Sequence, residues 1–185
     1  TGATSDENAA YHYAYNFDPI GNRLTASLAG IGYNYTSNAL NQYTAITSGS
    51  TTTDLTYDFD GNMLTRDGWT QTWSGENRMV QAVKGNVKLQ FTYDYMGRRV
   101  EKKVYDGETL TKHIRFVYDE YKQIEELNAL SDNATLRSYT WHPDSLNLGT
   151  LLTLTDAFAD VVYFYTTDAN KNVSDLIDVA GISVT

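Results

Sequence analysis

The stretch Leu55-Thr-Tyr-Asp-Phe-Asp-Gly-Asn-Met-Leu64 contains the pattern that decides the fold. The Asp58 carboxylate can accept backbone N–H groups, as in an Asx-turn, and Gly61 can adopt a positive φ because it has no Cβ. Leu55 and Tyr57 share one face of the strand that enters this turn, and Leu64 can meet them from the returning strand. The stretch therefore predicts a β-hairpin.

This hairpin pattern occurs three times without gaps. The shared form is apolar-x-aromatic-Asp-x-x-Gly-[Asn/Arg]-x-aliphatic, at intervals of roughly 40 residues, which is in the range of repeat architectures. A second kind of turn, in Leu40-Asn-Gln-Tyr43 and Glu76-Asn-Arg-Met79, alternates with it. The turn residues of the three windows are Asp18 with Gly21, Asp58 with Gly61, and Asp94 with Gly97.

Period-two alternation of apolar and polar residues predicts further strands at 11–17, 87–93 and 114–118. Residues 48–53 indicate a loop, and Lys84-Gly-Asn86 and Asp106-Gly107 indicate tight hairpin turns. Three-residue spacing of apolar side chains leaves a helix over 119–130 open as an alternative to a strand. We therefore expect an all-β fold, an antiparallel sheet of successive hairpins.

Composition narrows the function. Of the 185 residues 23 are acidic and 14 basic, giving a net charge of -9 that disfavours nucleic-acid binding. The chain has no Cys and three His, so we expect no disulfide, metal or other cofactor. No stretch approaches the roughly 18 apolar residues of a membrane span. Because the chain begins without Met, we expect it to be a piece of a longer polypeptide.

Two windows, Tyr57-Asp-Phe-Asp-Gly-Asn62 and Tyr93-Asp-Tyr-Met-Gly-Arg98, resemble the YD repeats of RHS-repeat proteins. Segments 118–121, 139–144, 165–173 and 176–181 resemble, in that order, the beginning of the RHS-repeat-associated core, although Lys171 stands where a turn glycine is expected. The resemblance implies three regions. They are a disordered or cut end at 1–10, a YD-repeat sheet at 11–135, and the beginning of the core at 136–185, continuous with the same sheet.

Members of this family resemble long spirals of hairpins that close into a hollow shell, as in the C component of bacterial Tc toxins and in teneurins. The resemblance implies a section of shell or cell-surface scaffold, secreted or displayed on the cell. Its partners would be the remaining repeats of the parent chain, an enclosed or presented C-terminal effector, and other copies through open sheet edges. Because the family's self-cleaving segment is expected to lie outside this chain, we expect no catalytic residue and a non-enzymatic, structural role.

An alternative function is a carbohydrate- or partner-binding module, since exposed aromatic rings stack on sugars. Its candidate residues are Trp69, Trp73 and Trp141, for which packing within the sheet is the competing interpretation.

Other patterns favour turn structure over chemistry. Asp58, Asp60 and Asn62 have the first spacings of a calcium loop, as do residues 168, 170 and 172, but the required Gly and Glu are absent at positions six and twelve. His142-Pro-Asp-Ser145 has hydrolase residue types without a nucleophile motif. Asp168 and Asp178 are a candidate carboxylate pair that nothing in the sequence brings together.

Overall fold

The computed structural model describes residues 13–143, 150–170 and 172–184. These residues form β-strands and turns and no helix, so the predicted all-β antiparallel fold is confirmed. No helix in these ranges is therefore available to cross a membrane. The predicted end segment 1–10 lies outside the described residues.

Most strands of the described residues pair antiparallel with the next strand in the sequence, which is the arrangement of a β-meander. The strands are β1 (Tyr13–Phe17), β2 (Arg23–Leu28), β3 (Ile31–Ser37), β4 (Tyr43–Ser48), β5 (Thr51–Asp54), β6 (Thr56–Tyr57), β7 (Met63–Arg66), β8 (Trp69–Trp73), β9 (Met79–Lys84), β10 (Val87–Tyr93), β11 (Arg99–Asp106), β12 (Thr109–Asp119), β13 (Lys122–Asn128), β14 (Ala134–Trp141), β15 (Leu151–Asp156), β16 (Val161–Thr167) and β17 (Val173–Ile177).

The chain divides into two compact units, residues 1–85 and 86–185. In the first unit β1 to β5 form one sheet, and β6 to β9 continue in sequence order after an interruption at the buried Leu55. In the second unit β10 to β17 pair in sequence order. Strand β14 runs through position 135/136, where the sequence predicted that the core-like region begins.

Two kinds of turn alternate at the two ends of the strands in the first unit. One end carries tight two-residue turns, such as Ala29-Gly30 and Asp67-Gly68, in which both residues have positive φ as a type I′ hairpin turn requires. The other end carries five-residue turns at 18–22, 38–42, 58–62 and 74–78. A β-bulge precedes each of these longer turns.

One local prediction is wrong, and one alternative that the sequence left open is decided in favour of a strand. The predicted loop 48–53 is only a two-residue turn, because Gly49 with φ of 58° reverses the chain and the Thr residues that follow form β5. The helical alternative over 119–130 is replaced by β13, whose backbone pairs with both β12 and β14. Pairing on both sides outweighs the apolar spacing of this segment.

Little of the described chain is buried. Most strand residues are half-buried or exposed. Five apolar side chains are only 4–9% exposed: Ala26, Leu55, Ala82, Phe116 and Leu154. Cross-strand ladders take the place of a deep core. The Arg23 guanidinium lies 4.5 Å from the Tyr15 ring centroid and 5.5 Å from that of Tyr35, and in the second unit Arg99 lies similarly over two Phe rings.

We predict that Gly61→Val destabilises the protein by about 1 kcal/mol or more, because Gly61 has φ of 87° and a β-branched residue is strained there. Gly61→Asn should cost less, since Asn77 adopts φ of 58° at the equivalent position of its own turn. Urea unfolding followed by fluorescence measures both changes.

The matched control is Gly32→Val in β3, where the backbone does not have positive φ and no atom lies within 4 Å of the added Cβ. This variant should keep or gain stability, because Val favours strands. Equal losses for the two Val variants would contradict a special role for the turn glycine.

Candidate functional site

The turn after β6 is closed by hydrogen bonds to the Asp58 carboxylate. Oδ1 accepts the backbone N–H groups of Asp60 at 3.0 Å and Asn62 at 2.8 Å, and Oδ2 accepts the Asn62 side-chain amide at 3.0 Å. The Asp58 N–H donates to the Asn62 carbonyl at 2.9 Å, and the Gly61 N–H to the Asp58 carbonyl at 3.2 Å. One acidic side chain thus satisfies the donors that the reversal of the chain leaves unpaired.

The same arrangement recurs along the chain. A side-chain oxygen at the first turn position accepts the N–H groups two and four residues later, and the residue three positions later has positive φ where the structure describes it. The sequence analysis identified the Asp18, Asp58 and Asp94 members and favoured a turn at 168–172. It placed turns at 40–43 and 76–79 without identifying Asn38 and Ser74 as their first residues, and it did not identify the turn of Asp178. The first residues of the recurring turns are Asp18, Asn38, Asp58, Ser74, Asp94, Asp168 and Asp178.

Neighbouring five-residue turns are connected to one another by side chains. In the first unit the Asn22 amide donates to Asn41 Oδ1 at 3.2 Å, and the Asn62 amide donates to Asn77 Oδ1 at 2.8 Å. In the second unit Arg98 pairs with the Asp94 carboxylate at 2.7 Å and also donates to the backbone carbonyl of Glu120. Within each unit these contacts join one turn to the next turn at the same end of the strands.

The aromatic residue before the turn has a role that the sequence analysis did not identify. Pairing of β7 with β8 ends at Thr65 and Thr70, so the Met63 carbonyl has no ladder partner on β8. The Trp73 indole N–H donates to this carbonyl at 2.7 Å. Three more aromatic residues do the same two positions beyond the end of a ladder: Tyr57 to the Tyr43 carbonyl, Tyr118 to that of Arg99, and Trp141 to that of Gln123.

The three tryptophans proposed for carbohydrate are half-buried. The indole N–H groups of Trp73 and Trp141 donate to backbone carbonyls, and Trp69 lies opposite Arg66 in the β7–β8 pair. Trp141 also lines a small pocket of about 190 Å³ with Gln123, Tyr139 and Leu151. Glycan binding by these residues stays a prediction.

The other candidate residues lie apart. The described residues include no group of three His, Cys, Asp or Glu side chains that could hold a metal ion. The His142 N–H pairs with the Thr150 carbonyl at 2.8 Å, while residues 144–149 and Lys171 lie outside the described part. Asp168 precedes β17 and Asp178 follows it, so strand β17 separates the two carboxylates.

The second unit also contains two charged clusters on its strands. Glu101 lies 3.3 Å from His113 Nε2 and 3.2 Å from Arg115 Nε. Glu126 accepts the Tyr139 hydroxyl at 2.8 Å and lies 3.6 Å from Arg137 Nη1. Burial is the largest cause, and this hydrogen bond to a carboxylate is the next, of a pKa of Tyr139 that is raised well above its ordinary value. The phenol therefore stays a hydrogen-bond donor.

The turn hydrogen bonds favour ionised carboxylates. The hydrogen bond from the Asn62 side-chain amide has the largest effect on the pKa of Asp58 and lowers it. Backbone N–H groups lower it further, and these hydrogen bonds together outweigh burial, which acts to raise it. Asn172 lowers the pKa of Asp168 in the same way. At Asp18 and Asp94 burial is the largest single effect and acts to raise the pKa. Hydrogen bonds from Asn22 and Arg98 outweigh it together with backbone N–H groups, so both pKa values are lowered.

Comparison with known proteins gives two curated relatives from Bacillus, and no protein-family model matches the chain. The tRNA3(Ser)-specific nuclease WapA of Bacillus spizizenii is 30% identical over 178 residues, which are 90% of this chain and 7% of that protein. The tRNA nuclease WapA of Bacillus subtilis is 30% identical over 138 residues, 69% of this chain and 5% of that protein. The chain thus spans less than a tenth of either relative.

Two solved structures are similar over most of the chain. One is the Photorhabdus luminescens Tc holotoxin pore with a mutation in TccC3, with 18% identity and a TM-score of 0.40 over 92% of this chain and 9% of that one. The other is TcdB2-TccC3 without its hypervariable C-terminal region, with 18% identity and a TM-score of 0.39 over 94% and 9%.

The prediction that the protein is not an enzyme is wrong, because both Bacillus relatives are named as tRNA nucleases. The physical reason for the error is that the prediction was based on residues that form strands and turns of a repeat. The match to the relatives lies in a small part of each of them, and the pattern of strands and turns in that part carries no information about the activity for which they are named.

We predict that Trp73→Phe destabilises the protein by about 1 kcal/mol or more, because the Met63 carbonyl loses its donor. Trp69→Phe in the same strand is the control for lost ring area, since no hydrogen bond is described for its indole. Urea unfolding of both variants measures the difference. If both lost the same stability, the hydrogen bond to Met63 would have no measurable value.

We predict that the free energy of unfolding falls as the pH is lowered through the acidic range. A carboxyl whose pKa is lower in the folded state stabilises it above the unfolded pKa of about 4, and this stability is lost as pH falls through the folded pKa. Asp58→Asn should flatten this dependence while it keeps a hydrogen-bond acceptor, as Asn38 does in its own turn. Urea unfolding at pH values from about 2.5 to about 7 measures how the free energy of unfolding changes with pH.

Asp60→Asn is the control for this pH dependence, since it removes the same charge from the same turn. Its slope should match that of the unchanged protein. Identical slopes for all three proteins would show that the Asp58 hydrogen bonds do not determine the acid response.

Proposed function

The chain belongs to the RHS-repeat family, whose YD repeats it carries, and we propose that it forms a section of the wall of a shell or cell-surface scaffold in a much larger protein. The observation that carries this proposal is the meander with repeated capped turns. Such a sheet can be extended by adding hairpins at either end without changing those already formed.

The low burial of the described residues supports a role within a larger assembly. Five apolar side chains are buried, and none of the described side chains is fully buried. Half-buried strands gain further apolar contacts when another part of a protein covers them. We propose that the remaining repeats of the parent chain, and the effector that they surround, supply this cover.

The first unit also presents surfaces suited to other repeats. Strand β1 is an edge strand with Tyr13, Tyr15 and Phe17 each about half exposed, at 47–55%. Two of the four five-residue turns of this unit carry Ile20 and Leu40 at their third position, 71% and 77% exposed, and the other two carry Asp60 and Glu76 there. Within the described residues, an outer strand edge without a pairing strand and two exposed apolar turn residues favour association.

We propose that the parent protein is an exported toxin and that its effector is a nuclease acting on tRNA. The support for the nuclease is that both Bacillus relatives are named as tRNA nucleases. In this proposal the effector occupies another part of the polypeptide, and the repeats hold it until its release.

The test uses the parent protein with a substitution in its wall. Gly61→Val combined with Gly97→Val strains two turns of positive φ, and we expect protease to digest the effector at least tenfold faster than in the unchanged parent. Electron microscopy of the unchanged parent should show a hollow body with this segment in its wall.

Gly32→Val is the control and should leave the effector protected. A solid particle, or an effector digested at the same rate in all three proteins, would contradict the shell proposal.

A further inference from the structure

A cleft of about 650 Å³ lies within the second unit. Its volume falls in the range of roughly 300–1,000 Å³ that is usual for ligand sites. Residues from β10 to β15 and from the turns after β13 and β15 line it, so it crosses several strands. Its apolar walls are Leu89, Val104, Ile114, Leu130, Leu136 and Phe158.

The acidic groups of the cleft are already neutralised or hydrogen-bonded. Glu126 accepts the Tyr139 hydroxyl and lies close to Arg137. Asp156 accepts the N–H groups of Phe158 and Ala159, each at 3.0 Å, and its second oxygen lies 3.7 Å from Arg137 Nε. Arg137 is therefore shared between two carboxylates and does not leave a free positive charge.

Two lysines at the other end of the cleft differ from Arg137. Lys102 on β11 and Lys112 on β12 both line the cleft, and they are diagonal neighbours because Lys102 lies opposite Ile114 and Val104 lies opposite Lys112. Neither forms an ion pair with a described residue, whereas Lys88 and Lys103 are each paired with a glutamate. The cleft thus has local positive charge in a chain whose net charge is -9.

We propose that this cleft binds an extended peptide segment that carries carboxylates beside apolar side chains. The carboxylates pair with Lys102 and Lys112, and the apolar side chains lie against the walls, with Phe158 at the rim. Phe158 is 97% exposed, so a bound peptide can remove most of its apolar surface from water. This site does not depend on the shell proposal, because every residue that forms it belongs to the second unit.

The experiment measures binding of a fluorescent peptide, Leu-Glu-Leu-Glu-Leu with blocked ends, to the 185-residue chain by fluorescence anisotropy. Binding should be saturable and should weaken as salt is raised. Peptides with Gln or Lys in place of Glu should bind at least tenfold more weakly. Lys102→Gln combined with Lys112→Gln should weaken binding of the Glu peptide by at least tenfold, with the fold checked by circular dichroism.

Two further variants separate the site from general effects. Lys122→Gln removes the same charge from β13 outside the cleft and should leave binding unchanged. Phe158→Ser alters an exposed turn residue that the fold does not need and should weaken binding several-fold. Absence of saturable binding, equal loss with Lys122→Gln, or equal affinity for the Gln peptide would each overturn the proposal.

Discussion

A side-chain oxygen that accepts two backbone N–H groups is the interaction on which this structure depends. A bulged strand that turns back within five residues leaves amide donors that no strand can pair, and the first turn residue supplies their acceptor. Asp, Asn and Ser all occupy this position, so the requirement is for an acceptor on a short side chain and not for a charge. The residue with positive φ shows a similar tolerance, being either Gly or Asn.

Aromatic residues close to the turns donate hydrogen bonds to backbone carbonyls that lie beyond the end of strand pairing. Wherever Tyr or Trp reaches a carbonyl two positions past the end of a ladder, one side chain supplies both apolar surface and a donor. Phe or Leu would supply only the first. Four of the 18 Tyr and Trp residues of the chain have this role, in a structure whose described residues include no fully buried side chain.

The fold could be predicted from the sequence because its rules are local. The turn of Asp58 and Gly61 is specified by the residues within it, and period two specifies the strands that flank it. The turns at 38–42 and 74–78 were recognised only as a second kind of turn, because Asn stands where the turns of the three aligned windows have glycine, and their first residues Asn38 and Ser74 were not identified. The cleft residues Lys102 and Lys112 gave no signal, since their proximity depends on the register of β11 and β12, which a bulge shifts.

The order of the strands has a kinetic consequence. Within each unit the strands pair with their sequence neighbours, except that β5 and β6 do not pair with each other, so the contact order of the meander is low and little loop-closure entropy is lost when each pair forms. A hairpin can fold as soon as its own residues are available, and the next one can then dock on its edge. A repeat protein of this kind can thus grow from one end at a rate that depends on the addition of hairpins and not on the total length of the chain.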